Sequence, residues 1–433
     1  MSAGMLALIF FATFFMMLFL GTPITYALGG AGTLTLLASG LKMSLVIKSV
    51  LSIFGSFTML AIFLFTLMGV IYQKTGLAGL LVDALKPTIG KMKGGLALIA
   101  VYASAIFGAL TGSANATCAT FSKMLGPEMV ENGYPADWTA ATIAACAPLG
   151  QLIPPSVTCI VLGVSAGLSI GTLFIVDLSI GIITVLFLTA TIVYLSRKHG
   201  FGGSDKVYTP AEKRAAFLRF VPLVSVPVVV IGGMYGGIFT ATEAGAIGAA
   251  FSFILALCYH RLNWRLVGEI FTDASKTAAN VLLLCASSYV ISYVMSMSGM
   301  TKFFVALLES ICGIHPTLGM LFLLLVLLIL GCFIDLIVVC IILAPTAITA
   351  LAPFGINPYS VAAIFLIGNL IGIITPPVGV ALFISSNSLK VKMEAISKKV
   401  IPYIIVYVVM TVLLIVFPEL SLVLPRMMGM DLG

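Results

Sequence analysis

Apolar runs of membrane-crossing length, separated by short polar connections, fill this chain from end to end. Residues 4–20 and 23–40 read as two helices around Gly21-Thr22-Pro23, and 45–73 as one longer apolar helix ending near Gln73-Lys74-Thr75-Gly76. The stretch 77–93 keeps leucines at helical spacing on one side of Asp83 and Lys86, the pattern of an amphipathic helix lying at an interface. Further spans are expected at 171–195, 219–235, 241–259, 278–299 (entered through 261–280) and 401–417, with a second amphipathic stretch at 300–313. A crossing takes about 20 mostly apolar residues, so the pattern predicts roughly ten crossings plus segments that fit no simple span.

Those ill-fitting segments carry the information. Residues 94–135 are apolar on both sides of a small, polar centre, Thr111-Gly112-Ser113-Ala114-Asn115, which is rich in helix N-cap types. Each arm is marginal for a full span, which suits a re-entrant hairpin with its tip directed inward; two ordinary helices with a polar turn in water would also fit. The next segment, 136–170, contains GQLIPPSV (150–157). Proline removes a backbone donor and clashes with the carbonyl one turn back, so Pro154 and Pro155 interrupt the helix. Hydrocarbon cannot satisfy the groups set free, and broken backbone at membrane depth marks a cavity or a buried site.

The same order recurs downstream. A second hairpin candidate spans 317–353 around Gly331-Cys332-Phe333-Ile334-Asp335, and a second broken helix, 358–389, contains GIITPPVG (372–379). Gly76, Gly90 and Gly108 match Gly299, Gly313 and Gly331 at an offset of 223, while Gly133, Gly150, Pro154 and Pro155 match Gly355, Gly372, Pro376 and Pro377 at 222. Paired helix breaks in two halves are the sequence pointer to a secondary transporter's binding site. The polar stretch of about 196–218 reads as the linker between the halves.

Composition agrees: of 433 residues, 61% are hydrophobic and 9% charged, with mean hydropathy +1.21, outside the range of soluble domains. The net charge of +7 sits in short connections, which favours a topogenic role over nucleic-acid binding. With the N-terminus outside, Lys74, Lys86, Lys91, Lys93, the linker, Arg261, Arg265 and Lys390 to Lys399 all face the cytoplasm. That orientation, N-out and C-out, also makes the two repeats inverted. The first 20 residues lack a basic leading region and a small-x-small cleavage site, and are kept as a transmembrane helix. The eight cysteines are scattered singly, without metal or redox spacing, and read as buried core residues.

Catalysis is poorly supported. The three histidines lie in connections, no zinc-protease or Ser-His arrangement falls inside a span, and no nucleotide-binding loop is present. An ion gradient is therefore the expected driving force. Asp335 is the one carboxylate expected deep in the membrane at a repeat-marked position, as a ligand, as a helix N-cap, or both. Glu243 and Asp177 read as interfacial, being near helix ends. Oxygen-rich groups gather in two sets: Thr111, Gly112, Ser113 and Asn115 with Gly150, Pro154 and Ser156, then Gly331 and Asp335 with Gly372, Thr375 and Pro376. Hard cations take oxygen ligands, and two symmetry-related sodium sites follow as a hypothesis; close helix packing is the other role such glycines and prolines can serve. Substrate contacts are expected from Ser113, Asn115, Ser156, Asp335 and Asn369, with half-helix N-termini favouring an anion.

The tips TGSANAT (111–117) and FID (333–335), PPS at 154–156 and TPP at 375–377, in this order along nearly the whole chain, resemble the large membrane subunit of tripartite ATP-independent periplasmic (TRAP) transporters. The resemblance implies an all-α polytopic membrane protein of the bacterial inner membrane, with two inverted repeats, working as an elevator. It implies sodium as coupling ion, no other cofactor, and import of organic-acid anions such as dicarboxylates, keto acids or sialic acids. Its implied partners are a small four-helix membrane subunit and a soluble periplasmic binding protein. A moving unit would comprise 94–170 and 317–389, on a scaffold of 1–93, 171–316 and 390–433, with 77–93 and 300–313 as arms. Val378 stands where Ser156 supplies a hydroxyl in the first repeat, so the two sites should differ in side-chain ligands. A self-sufficient sodium- or proton-coupled carboxylate carrier, or a channel, would use the same plan.

Overall fold

The computed structural model describes residues 3–90, 92–201 and 208–432. Lys91 and the linker residues 202–207, both used in the orientation argument, lie outside the described residues. The regular structure described is helical throughout.

The chain begins with α1 (Ala3–Phe19), α2 (Ile24–Ala38), α3 (Ser44–Phe54), α4 (Leu60–Lys74) and α5 (Leu77–Ile89). The single helix expected over 45–73 is two helices. Glycine and serine at 55 and 56 interrupt it, and α3, of which only Ile53 is buried, lies against a later helix. At Thr75-Gly76 the chain bends by 66° into α5.

The first hairpin is α6 (Gly95–Thr111) and α7 (Ala114–Glu131). The broken segment follows as α8 (Ala136–Cys146), α9 (Leu149–Leu152) and α10 (Val157–Ala166), bent by 48° at the prolines. Next come α11 (Ile170–His199), α12 (Pro210–Tyr235), α13 (Ala241–Cys258) and α14 (Trp264–Ser298). Here the sequence reading needs two corrections. Pro210 at the first helical position and a capping box between Thr209 and Glu212 start α12 well before 219, so half of the basic linker is helix. Likewise α14 is continuous from its Asn263 cap, with no separate entry segment.

The second repeat contains α15 (Met300–Ile314), the hairpin α16 (Pro316–Gly331) and α17 (Leu336–Leu351), the broken pair α18 (Pro358–Gly372) and α19 (Val380–Leu389), then α20 (Met393–Val416). A short α21 (Glu419–Met427) ends the described helices. Six described helices are long and apolar enough to cross a membrane, or eight if two bent pairs each count as one span. The estimate of ten ran higher because α1, α2 and the halves of the second broken helix, α18 and α19, are each too short to qualify.

The packing is interlocked. Within each repeat the first hairpin arm lies on the leading half of the broken helix, α6 on α9 and α16 on α18. The trailing half-helices cross over: α10 packs on α17, and α19 on α7. Cys118 on α7 donates its thiol proton to Ala381 O on α19 at 3.3 Å, and Tyr407 on α20 donates to Ala145 O on α8 at 2.8 Å. A separate bundle of α1, α2, α4, α12, α13 and α14 meets this core mainly where α4 and α14 face α6 and α17. Large apolar side chains such as Leu8, Phe19, Leu186 and Phe217 point outward, as a lipid-facing surface requires.

Candidate functional site

The first hairpin turns in two residues. Gly112 has φ +57°, a left-handed conformation that glycine adopts without penalty, and its N–H closes α6 on Gly108 O. Ser113 is extended, and its Oγ accepts the Ala116 N–H at 3.3 Å to cap α7. This tip rests directly on the proline break. A Cβ on Gly112 would stand 2.9 Å from Pro155 O, and one on Gly150 would stand 2.7 Å from Ser113 O. The glycines therefore let backbone meet backbone, as a shared oxygen site needs. Gln151 reaches over the break, its Nε2 donating to Thr158 Oγ1 at 2.6 Å. Ser156, extended at the start of α10, is fully buried; its Oγ has no nitrogen or oxygen partner, with only the Cys159 thiol beside it.

The second tip repeats the backbone plan. A Cβ on Gly331 would stand 2.5 Å from Asn369 O, and Gly372 lies against the Gly331 backbone. Asp335 caps α17, its Oδ1 accepting the Ile337 N–H at 2.9 Å, so the capping role holds. Thr375 Oγ1 donates to Ile371 O at 2.7 Å, and the Ala381 N–H closes the break on Ile373 O at 3.0 Å. Asn369 is fully buried, and neither its amide nitrogen nor its oxygen has a partner. A buried amide left without hydrogen bonds costs about 1–3 kcal/mol, so the group stands ready for something that can bind it.

Both tips open on one cavity of about 360 Å³. From the repeats it is lined by Thr111, Gly112, Ser113, Asn115, Gln151 and Asp335. Gly150, Pro154, Ser156, Gly331, Asn369, Gly372, Thr375 and Pro376 do not line it; those with contacts described above pack behind the tips. The opposite wall comes from the other bundle, with Thr66, Gly69 and Gln73 on α4 and Thr277 on α14. Sequence reasoning missed this wall. Its signal was available, because small or polar residues at 66, 69 and 73 share one helix face within an apolar run. The first turns of α7 and α17, at Ala114–Ala116 and Leu336–Ile337, both border the cavity, bringing two positive helix ends to one space.

Among the described residues no group of three or more His, Cys, Asp or Glu side chains could hold a metal. A sodium ion would instead draw on backbone and hydroxyl oxygens, and the crowded carbonyls at Ser113 and Pro155 with the unpartnered Ser156 Oγ are of that kind. Asp177 departs from the interfacial reading: it is fully buried in the third turn of α11, facing α10, where the Cys159 thiol donates to its Oδ2 at 3.2 Å. Glu243 is exposed and accepts the Thr240 N–H at 2.8 Å in a capping box.

An all-helical, multi-span chain whose two hairpin tips and two helix breaks close on a single cavity defines a membrane transporter. The family model described as "Tripartite ATP-independent periplasmic transporter, DctM component" matches residues 11–420, and the chain belongs to that family. It is 30% identical to the C4-dicarboxylate TRAP transporter large permease protein DctM of Pseudomonas aeruginosa, over 93% of this chain and 94% of that protein. It is also 30% identical to the 2,3-diketo-L-gulonate TRAP transporter large permease protein YiaN of Escherichia coli, over 94% and 95%. Among solved structures, the YdaH transporter of Alcanivorax borkumensis shares the fold, with a TM-score of 0.59 at 15% identity over 90% of each chain. These relatives are permease proteins, not enzymes.

Proposed function

We propose that this chain is the sodium-driven large subunit of a TRAP transporter that imports an organic-acid anion handed over by a periplasmic binding protein. One observation carries the reading: the N-termini of α7 and α17 and both hairpin tips converge on one cavity at the boundary between two bundles. An anion there is held by helix ends, while sodium binds behind the tips, at Thr111 to Asn115 with Gly150 to Ser156, and at Gly331 to Asp335 with Gly372 to Pro376. Ser113, Asn115, Ser156, Asp335 and Asn369 are the side chains assigned to ions and substrate.

Transport proceeds as an elevator, the interlocked core moving against the bundle of α1–α4 and α12–α14, with α5 and α15 as arms. The packing favours a larger moving unit than the sequence suggested, because α11 and α20 lie on the hairpins and broken helices rather than on that bundle. The chain sits in a bacterial inner membrane with both termini outside, beside a small four-helix membrane subunit. The dicarboxylate and diketogulonate named for its relatives support an acid as cargo. The test is uptake of labelled acids into proteoliposomes holding both membrane subunits. Accumulation is expected only with an inward sodium gradient and the cognate binding protein. Uptake without the binding protein would make it a self-sufficient carrier, and flux that does not saturate would make it a channel.

A further inference from the structure

Away from the tips, a second ionisable group is buried without a counter-charge. Asp177 is 0% exposed, its Oδ2 accepts the Cys159 thiol at 3.2 Å, and its Oδ1 has no partner. The Tyr235 hydroxyl, at the end of α12, is also buried and unpartnered, within electrostatic reach of Asp177 and Cys159. The elements packed around α11 supply nothing positive nearby. No charged residue occurs on α6, α9, α10 or α18; on α20 Glu394, Lys398 and Lys399 sit in its first two turns, and on α21 Arg426 is paired with Glu419. The titratable groups facing Asp177 are thus a thiol and a phenol, from α10 and α12.

We propose that Asp177 is a proton-binding site, occupied in this conformation and set apart from the first sodium site by the Cys159 thiol that lies between it and Ser156. An ionised carboxylate here would be desolvated with no cation to compensate, whereas the neutral acid needs only hydrogen bonds. The contacts fit the acid: Oδ2 accepts from the thiol, and the unpartnered Oδ1 is free to carry the proton, with the Tyr235 hydroxyl near it but beyond hydrogen-bond distance. A sodium ion is the weaker fit, since a thiol and one phenol are poor company for a hard cation that wants several oxygens. The site also spans the boundary just drawn. Asp177 and Cys159 belong to the interlocked core, while Tyr235 belongs to a helix packed mainly on α5 and α13. Sliding the core past α12 separates the carboxyl from the phenol, and water reaching the acid lets the proton go. Protonation is thereby linked to conformation, which gives transport a pH dependence that sodium binding alone would not.

Infrared spectroscopy of the full chain in lipid nanodiscs at neutral pH tests this directly. The wild type is expected to show a protonated-carboxyl band that shifts in heavy water, disappears in Asp177→Asn, persists in Asp335→Asn and changes frequency in Tyr235→Phe. Asp177→Glu, which keeps the acid, should move the band rather than remove it and covers the case in which the asparagine variant folds poorly. A spectrum with no band lost in Asp177→Asn would overturn the proposal. So would loss of sodium-specific thermal stabilisation in that variant alone, because Asp177 would then be a cation ligand. Absence of sodium stabilisation in every form, wild type included, would instead overturn the sodium reading and leave the proton site standing.

Discussion

The two proline breaks share a backbone plan but not an environment. At the first, Ser156 is 0% exposed and residues 153–156 are sealed by the chain itself. At the second, the equivalent Val378 is 45% exposed and Pro377 faces outward with it. The polar groups have changed places accordingly. Ser156 pairs with Val378 across the repeats, whereas Asn369, buried ahead of the second break, pairs with Ala147. Of the unpartnered buried polar side chains, the one nearest the break thus follows it in the first repeat, at Ser156, and precedes it in the second, at Asn369. Duplication preserves the crossing of backbone on backbone, while the buried polar side chain sits wherever protein closes around the break.

Substitutions can break this comparison from its strongest side to its weakest. The backbone crossings should be intolerant in both repeats. Gly150→Ala pushes a methyl into Thr117 and Ser113 O, and Gly372→Ala into the Gly331 backbone, so each is expected to cost at the upper end of about 1–3 kcal/mol. Both should lower the melting temperature clearly in detergent and abolish uptake; tolerance at either would show that the tip does not rest on its break. Next comes Asp335→Ala. Losing the cap of α17 costs about 1 kcal/mol, and the sodium-specific gain, about 2.7 kcal/mol at a hundredfold excess over Kd, should shrink. Thermal melts in sodium, potassium and choline at equal ionic strength measure both effects, and an unchanged sodium increment would remove Asp335 from the ion site.

The polar exchange predicts a subtler result. Ser156→Ala and Asn369→Leu each remove a buried group that has no partner, so stability without sodium should hold or rise by up to about 1 kcal/mol. Uptake should nevertheless fall at least tenfold. The reverse change, Val378→Ser, adds a hydroxyl at an outward position and is expected to leave both melting and uptake nearly unaltered. Smallest of all is Phe383→Ala. That ring is 60% exposed, and its loss should alter stability by no more than about 0.5 kcal/mol in detergent melts.

The fold was legible because its signals are local or periodic. Pro154, Pro155, Pro376 and Pro377 interrupt apolar runs, and the offset glycines mark where backbones cross. Asp335 could be read as a cap from its place ahead of an apolar arm. Depth and lateral neighbours were not legible. Asp177 lies only two turns into α11 and looked interfacial, yet the turn between α10 and α11 folds it against Cys159. Gln73 and Thr277 bring their polar groups to the cavity through helices that sequence spacing alone does not juxtapose. Capping chemistry was underweighted at Thr209 and Glu212, which extended α12 into the basic stretch.

The crossed half-helices also constrain how the chain is made. Cys118 and Ala381, joined by a hydrogen bond, are 263 residues apart, and Thr142 meets Tyr403 across 261. The first repeat leaves the ribosome long before its docking surface in the second exists, and contacts of such separation form late. Its hairpin and proline break therefore wait in the membrane with their mating faces uncovered. The first oxygen set, residues 111–156, is therefore made long before the second, residues 331–376, and a chain truncated after α14 would carry the first set but lack both the second set and the half-helix α19 that packs on α7.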